Sequence, residues 1–427
     1  MEPQTRVTVD AVDLPRLVRF PSILSSITAA MRGSRVLVGV AAIVALAVSG
    51  RIWDGVVPHD ISPFGLLAGS MTPEQVAHAE ESAQRIRSNT MAFAEPGDSE
   101  SWGRSMRIAD MTRPKGTFEA LSAEVARATY GAVRSMVDLD FRTAVDDVWT
   151  LVVRTPLALW RASPVFTILY GTFAIIVIGF AGGVISRLSA HDLGAGGQPS
   201  LEQARAFIKR RWRHVCFAPL AAGGVALALL VVASVPGILL RVPLLDVVAA
   251  AWTGIAIILT LLAGILIALL VLGAPLFIPA ASTEACDGTE AVQRVSAMLL
   301  SRPLHAALFG AVGLLTFGAG FALVDVAMTW SYNTSLEMSG WLGSEQVVSG
   351  AGFMEVLQPS GFSDRSHLQG TQWLSAEVIR AWRAVVGGVV AGYAFALFWT
   401  IGTRAYLLLR LAADSQPTDV VPGDGQA

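Results

Sequence analysis

Residues Val247 to Thr283 read VVAAAWTGIAIILTLLAGILIALLVLGAPLFIPAAST, 37 residues without an Asp, Glu, Lys, Arg or His. A hydrocarbon core about 30 Å thick takes roughly 20 apolar residues of helix, so this stretch fixes the solvent of the protein as lipid and is longer than one crossing needs. Pro275 and Pro279 near its end predict a break or kink, giving one long tilted helix followed by an interfacial piece. A second crossing or a re-entrant hairpin is the competing reading.

Working outward, five further runs lack Asp, Glu, Lys and Arg: Val36–Gly50, Ala162–Ser186, Val215–Leu240, Leu304–Val324 and Ala384–Thr403. The first is short, but Arg51 can snorkel outward, and Ile52 and Trp53 then carry the span to headgroup level. Ala45-Leu46-Ala47 fits a small-x-small cleavage pattern, yet the leader before this run is longer than secretory signals have, so an uncleaved anchor is expected. The whole chain agrees. Its 427 residues are 53% apolar and 15% charged, with a mean hydropathy of +0.56, whereas soluble domains carry about 25% charge. With 31 basic and 33 acidic residues, a net charge of -2 argues against nucleic acid as a partner. Two cysteines, Cys216 and Cys286, allow at most one disulfide and no thiolate metal cage.

The expectation is an all-α, polytopic transmembrane helical bundle of six spans with a helical extracytoplasmic insertion. Residues 1–35 form an N-terminal segment, 36–57 the first span, 58–161 the insertion, 162–411 a five-span bundle and 412–427 a tail. Interfacial helices are expected near 200–214 and 288–302. Six crossings put both termini on one side. That side carries Arg6, Arg16, Arg19, Arg32 and Arg35, then Arg187, Arg205, Lys209, Arg210, Arg211 and Arg213, then Arg294, Arg302, Arg404 and Arg410. The opposite short loops hold Arg241, Arg365, Arg380 and Arg383. Fifteen against four places both termini in the cytoplasm of an inner membrane.

In the insertion, Thr72-Pro73-Glu74-Gln75 starts a short helix toward Ser88. From Thr117 onward Leu121, Val125, Ala128, Val133 and Val137 recur at helical steps that continue to Val152. Trp341, Trp373 and Trp382 in the outer loop Ser331 to Trp382 read as interfacial anchors.

Two cytoplasmic segments share a plan. Ser200 with Gln203 makes a capping box, and Asp287 with Glu290 offers the same geometry; each leads through a basic stretch into a span, suggesting two structural repeats. The same cap, basic flank and apolar run serve any helix re-entering from the cytoplasm.

Several motifs carry a resemblance: Gly182-Gly183-Val184-Ile185-Ser186-Arg187, Pro199-Ser200-Leu201-Glu202-Gln203-Ala204 with Arg210-Arg211-Trp212, Ser282-Thr283-Glu284-Ala285-Cys286-Asp287-Gly288, Ser301-Arg302-Pro303, and Ala405-Tyr406-Leu407-Leu408-Leu409-Arg410. Over roughly 160–415 the chain resembles an uncharacterised family of bacterial multi-pass inner-membrane proteins. It is more distantly similar to membrane domains found beside glycerophosphodiesterases. Members often read Glu-Gly-Ser-Asp where this chain has Glu284-Ala285-Cys286-Asp287. The resemblance implies a fold and a location, with no activity or catalytic residue.

Chemistry is sparse. The two lysines, Lys115 and Lys209, are not preceded by glycine, so no Walker loop exists, and H-E-x-x-H and G-x-S-x-G are absent. His59, His78, His191, His214, His305 and His367 are scattered, with His214 and His305 facing one another only if the repeat holds. Charges near the membrane sit at span ends, where Asp325 is placed to pair with Arg51. Gly388 and Gly392, four apart, suit close helix packing within the bundle, with homodimerisation the minor use. Lys209-Arg210-Arg211-Trp212-Arg213 matches contact with anionic headgroups, while topology alone also accounts for it. The leading function is a non-enzymatic membrane component packing with lipid or partner proteins, without cofactor or metal. The alternative is a permease or lipid-translocating transporter built from two repeats. An enzyme would need His59, Asp60 and Asp325 to converge.

Overall fold

The computed structural model describes residues 21–57, 61, 66, 81, 85, 115–193, 200–239, 245–284, 286–343, 345–357, 368 and 370–414. Among them the architecture is all helical, with no strand and one isolated bridge between Ile61 and Lys115. In chain order the helices are α1 (Pro21–Leu24), α2 (Ser26–Ala30), α3 (Gly33–Val56), α4 (Thr117–Val137), α5 (Phe141–Trp149), a π turn (Thr150–Arg154), α6 (Thr155–Ala162), α7 (Pro164–His191), α8 (Leu201–Leu239), α9 (Leu245–Thr283), α10 (Gly288–Ser301), α11 (Pro303–Leu342), α12 (Glu345–Ala351) and α13 (Thr371–Asp414). Six of them, α3, α7, α8, α9, α11 and α13, are long and apolar enough to cross a membrane. The protein is therefore a polytopic helical bundle.

The expected break in the fourth span does not occur. α9 runs for 39 residues straight through Pro275 and Pro279. The carbonyl of Pro275 would ordinarily accept from residue 279, which as proline has no N–H. Gly402 of α13 lies against that oxygen so closely that a Cβ there would stand 2.2 Å from it. The Ser282 and Thr283 hydroxyls donate to the Pro279 carbonyl at 3.1 and 2.8 Å. Close packing of α13 on the freed Pro275 carbonyl thus accompanies a helix that continues through both prolines.

The two cytoplasmic segments differ in build. Ser200 and Gln203 form the reciprocal box, with bonds of 3.0 and 3.1 Å, but the helix they open is α8 itself, 39 residues long. Residues 200–214 are thus the first turns of a span helix, correcting the expectation of a separate interfacial one. Residues 288–301 do form a separate helix, α10, and there Asp287 makes no side-chain cap. Its carboxylate instead lies 3.2 Å from His214 Nδ1.

Burial concentrates at the end of the bundle where α7, α9 and α13 terminate. Ala181–Ala190 of α7 and Trp399–Arg410 of α13 are buried on every face, and together with Leu276–Ala281 they form the main core. The far halves of α8 and α9 present Val231, Ile257, Ile258 and Leu261 to the surroundings, a surface suited to hydrocarbon. We call the first end the basic end, after the arginines described below.

The Thr72 helix start lies outside the described residues, although Glu81 and Arg85 make an i,i+4 pair at 2.6 Å. From Thr117 onward the described residues are helical as expected, but the helix does not run unbroken to Val152. Leu139 takes a left-handed φ of 59°, and Asp140 caps α5 by accepting from the Thr143 amide and hydroxyl at 3.2 and 2.6 Å. The helices also lie alongside the spans. At its start α4 is capped from α3, where the Asp54 carboxylate accepts the Phe118 and Glu119 amides, both at 2.9 Å. Further along, the Tyr130 hydroxyl meets Asp325 of α11 at 3.3 Å, Val133 packs with Phe321 and Val390, and Met136 lies beside Gly318. With about 1.5 Å of rise per residue, α4 travels some 30 Å down the flank of the bundle.

Candidate functional site: the arginine-rich basic end

Four arginines, Arg35, Arg187, Arg404 and Arg410, are at most 5% exposed. Each comes from a span helix, and each is held by groups that the meeting of helix ends supplies. Arg35 donates to the Leu188 carbonyl in the last turn of α7 at 3.0 Å and to Ala29 O at 2.6 Å, and pairs with Asp192 just beyond α7. Arg32 takes the other oxygen of Asp192. Arg187 donates to Ser282 O and Thr283 O, the last carbonyls of α9, at 3.4 and 3.3 Å, with its guanidinium 4.1 Å from the centroid of Phe207. Arg404 donates to Ser22 O at 2.5 Å and to the Ser25 hydroxyl. Arg410 reaches Glu284 at 3.3 Å, and Arg294 and the Tyr406 hydroxyl bind the same carboxylate. The logic is electrostatic. Carbonyls at helix C-termini carry partial negative charge, and guanidiniums at α7 and α9 answer it while satisfying acceptors that have no helical partner.

Six arginines (32, 35, 187, 294, 404 and 410) share this end, where Asp192 binds Arg32 and Arg35, Glu284 binds Arg294 and Arg410, and Glu290 lies 3.2 Å from Arg294. The sequence reading treated these arginines as markers of sidedness and missed their burial. The available signal was their setting: Arg187 stands in Val-Ile-Ser-Arg-Leu-Ser-Ala and Arg410 in Leu-Leu-Leu-Arg-Leu-Ala-Ala, with no other charge nearby and only small hydroxyls or apolar side chains as neighbours.

Outside this layer lies the predicted headgroup row. Lys209, Arg210, Trp212 and Arg213 are exposed on α8, whereas Arg211 is half-buried with its guanidinium 5.9 Å from Phe207. Arg213 sits 5.8 Å from the Trp212 ring. Cys286, behind the row, is a free thiol pushed up to about 11 by burial and, secondarily, by Glu290.

The other predicted residues separate. Asp325 does not pair with Arg51. It is 1% exposed, lies well inside α11, and accepts from Tyr130 and from the Leu357 amide at 2.8 Å, while Arg51 is exposed at the far end of α3. α11 continues to Leu342, which carries Asp325 away from a helix terminus. Burial and the Asp325 charge push the Tyr130 phenol up. Gly392 packs within the bundle: a Cβ there would lie 2.6 Å from Val40 N, and one on Gly39 would lie 2.1 Å from Gly392 O. Gly388 has nothing within 4 Å of such a Cβ and takes no part in this crossing. His214 faces Asp287, and His305 stacks edge-on to Phe309 at 6.2 Å. His59 and Asp60 lie outside the described residues. Among the described residues no three His, Cys, Asp or Glu side chains group as metal ligands.

Comparisons with known protein families, with curated proteins and with solved structures find no match. The class defined by the fold is an all-α polytopic bundle, closed at one end by buried guanidinium contacts.

Proposed function

We propose that the protein is an integral inner-membrane component with cytoplasmic termini, which packs with lipid or partner proteins and seats its basic end among anionic headgroups. The observation that carries this reading is the exposed row Lys209, Arg210, Trp212 and Arg213, placed on a rigid end whose buried arginines are already engaged by helix ends and carboxylates. Three exposed cations near an anionic surface contribute roughly 1 kcal/mol each, and the half-exposed indole suits the interface. The fifteen-to-four basic bias supports the orientation.

The test is thermal unfolding in nanodiscs of zwitterionic lipid with and without added phosphatidylglycerol. Anionic lipid is expected to stabilise the wild type, more at low salt, and to stabilise a Lys209→Ala/Arg210→Ala/Arg213→Ala variant much less. Equal gains for the two proteins would refute the reading. The transporter alternative draws less support, because the paired segments that suggested repeats are built differently. Uptake of solute or lipid scrambling by proteoliposomes would revive it.

A further inference from the structure

After α12 the backbone turns back along α11. Residues 352–357 are non-helical. The Tyr332 hydroxyl donates to Gly352 O at 3.4 Å, the Asn333 amide exchanges bonds of 2.9 Å with Met354 O and Met354 N, and the Leu357 amide donates to Asp325 at 2.8 Å. Asn333 and Asp325 are eight residues apart, so the segment descends roughly 12 Å along α11 toward the basic end. Two measures give its depth. Tyr130, which meets Asp325, is 12 residues beyond Phe118, or roughly 18 Å from the Asp54 cap along α4. Val390, in one cluster with Phe321 and Leu357, is two residues from the Gly392 that meets Gly39. Both put Asp325 and Leu357 level with the apolar run Val36–Gly50 of α3. Non-helical backbone at such a depth is tolerated only where protein covers it or water reaches it.

The lower attachment of this segment is a buried acid. Asp325 is 1% exposed, and its oxygens accept from a phenol and a backbone amide, donors that suit the ionised form. No Arg, Lys or His is among its partners in the described residues. A buried carboxylate without a counter-charge is costly, and at membrane depth such a group marks an ion or substrate path. One turn further along α11, Thr329 is also 1% exposed, and its hydroxyl has no partner among the described residues. Thr316 of the same helix bonds back to Val312 O at 2.7 Å, whereas Thr329 makes no such bond. Residues 325, 329 and 333 form one stripe of the helix. Asp325 and Asn333 hold the backbone of the segment, and the Thr329 hydroxyl stands between those two attachments.

We propose that Asp325 and Thr329, closed over by residues 352–357, form a site for one monovalent cation of the size of sodium. The donors are all oxygens and carry a single negative charge, which one such cation balances. Non-helical backbone beside a buried polar group is the setting in which membrane proteins hold these ions. The cation and the Leu357 amide share the Asp325 carboxylate, so occupancy of the site steadies the segment against α11. Glu355, on the same segment, is exposed and supplies the control.

The test uses the full chain purified in detergent at pH 8, with sodium chloride exchanged for choline chloride at constant ionic strength. Thermal unfolding and retention of radioactive sodium on the protein are read in parallel. The wild type is expected to melt several degrees higher in sodium, with a response that saturates as a single site does, and to retain one sodium ion per chain. Glu355→Gln should behave as the wild type. Asp325→Asn should lose both the shift and the retained ion, while melting in choline no lower than the wild type, because the uncompensated charge is gone. Thr329→Val should need at least about tenfold more sodium for the same shift, having lost one ligand to the ion. If Asp325→Asn does not elute as a single species, Thr329→Val, which removes only an unpartnered hydroxyl, carries the comparison. Equal melting in sodium and choline with no retained ion in the wild type overturns the proposal, since the carboxylate is then neutral or balanced within the chain. An undiminished sodium response in Asp325→Asn, or its loss in Glu355→Gln, overturns it as well.

Discussion

Gly39 and Gly392 set the distance between α3 and α13, and a single methyl group tests that statement. A Cβ on Gly39 would stand 2.1 Å from Gly392 O and 2.9 Å from its carbonyl carbon, and one on Gly392 would stand 2.6 and 2.8 Å from Val40 N and Cα. These neighbours are backbone atoms and cannot rotate away. Ordinary contact needs about 3.5 Å, so Gly39→Ala must part the helices by roughly 1 Å or more. A gap of that size forfeits a quarter to a half of each contact across the crossing, and overpacking of this kind costs about 1–3 kcal/mol. Lipid offers no hydrophobic drive to restore the association. Gly388→Ala, four residues away on the same helix, meets nothing within 4 Å and should be neutral or stabilising by up to about 1 kcal/mol through helix propensity. The assay is the midpoint of thermal unfolding in detergent, followed by size-exclusion chromatography, for the three single variants. Gly39→Ala and Gly392→Ala should melt several degrees below the wild type, and Gly388→Ala at or above it. Equal midpoints for all three would refute the argument from backbone proximity.

Three further outcomes follow from the basic end and from α5. Glu284→Ala removes the carboxylate that Arg294, Arg410 and Tyr406 share and should cost about 3–5 kcal/mol; adding Arg410→Met should recover part of the lost melting temperature, and no recovery would mean that the arginine is not the liability. Cys286, with its thiol pushed up to about 11 from an ordinary 9.0, should alkylate roughly 100-fold more slowly at pH 8 than an unperturbed thiol, with a rate that climbs about tenfold per pH unit and levels off only above about 11; mass spectrometry after timed iodoacetamide treatment reads this. Burial raises the Asp147 carboxyl above its usual 3.8, with nearby Arg127 opposing. The folded state thus binds this proton more tightly than the unfolded, and the contribution to stability grows as pH falls through the raised value and levels off below 3.8. Asp147→Asn should abolish that part of the pH dependence and not lower the melting temperature at pH 7.

The class of fold was legible in the order of residues alone. Unbroken apolar runs fixed six helices long enough to cross a bilayer, because backbone polar groups in hydrocarbon must be satisfied within the segment. Local chemistry placed the Ser200–Gln203 box and the helix beginning at Thr117, since both depend on residues within one or two turns. Tertiary structure decided everything that turns on partners distant in the chain. Pro275 and Pro279 break helices in local logic, but α13 packs Gly402 against the freed carbonyl and the helix continues. Arg187, Arg404 and Arg410 read as surface cations until tertiary packing brings the last α9 carbonyls to Arg187, Ser22 and Ser25 to Arg404, and Glu284 to Arg410. Asp325 looked like the end of a span until α11 ran on and α4 came alongside. Gly392 and Gly388 are indistinguishable by spacing, and only the crossing of α3 separates them, because contact between helix backbones depends on crossing geometry that no run of residues encodes locally.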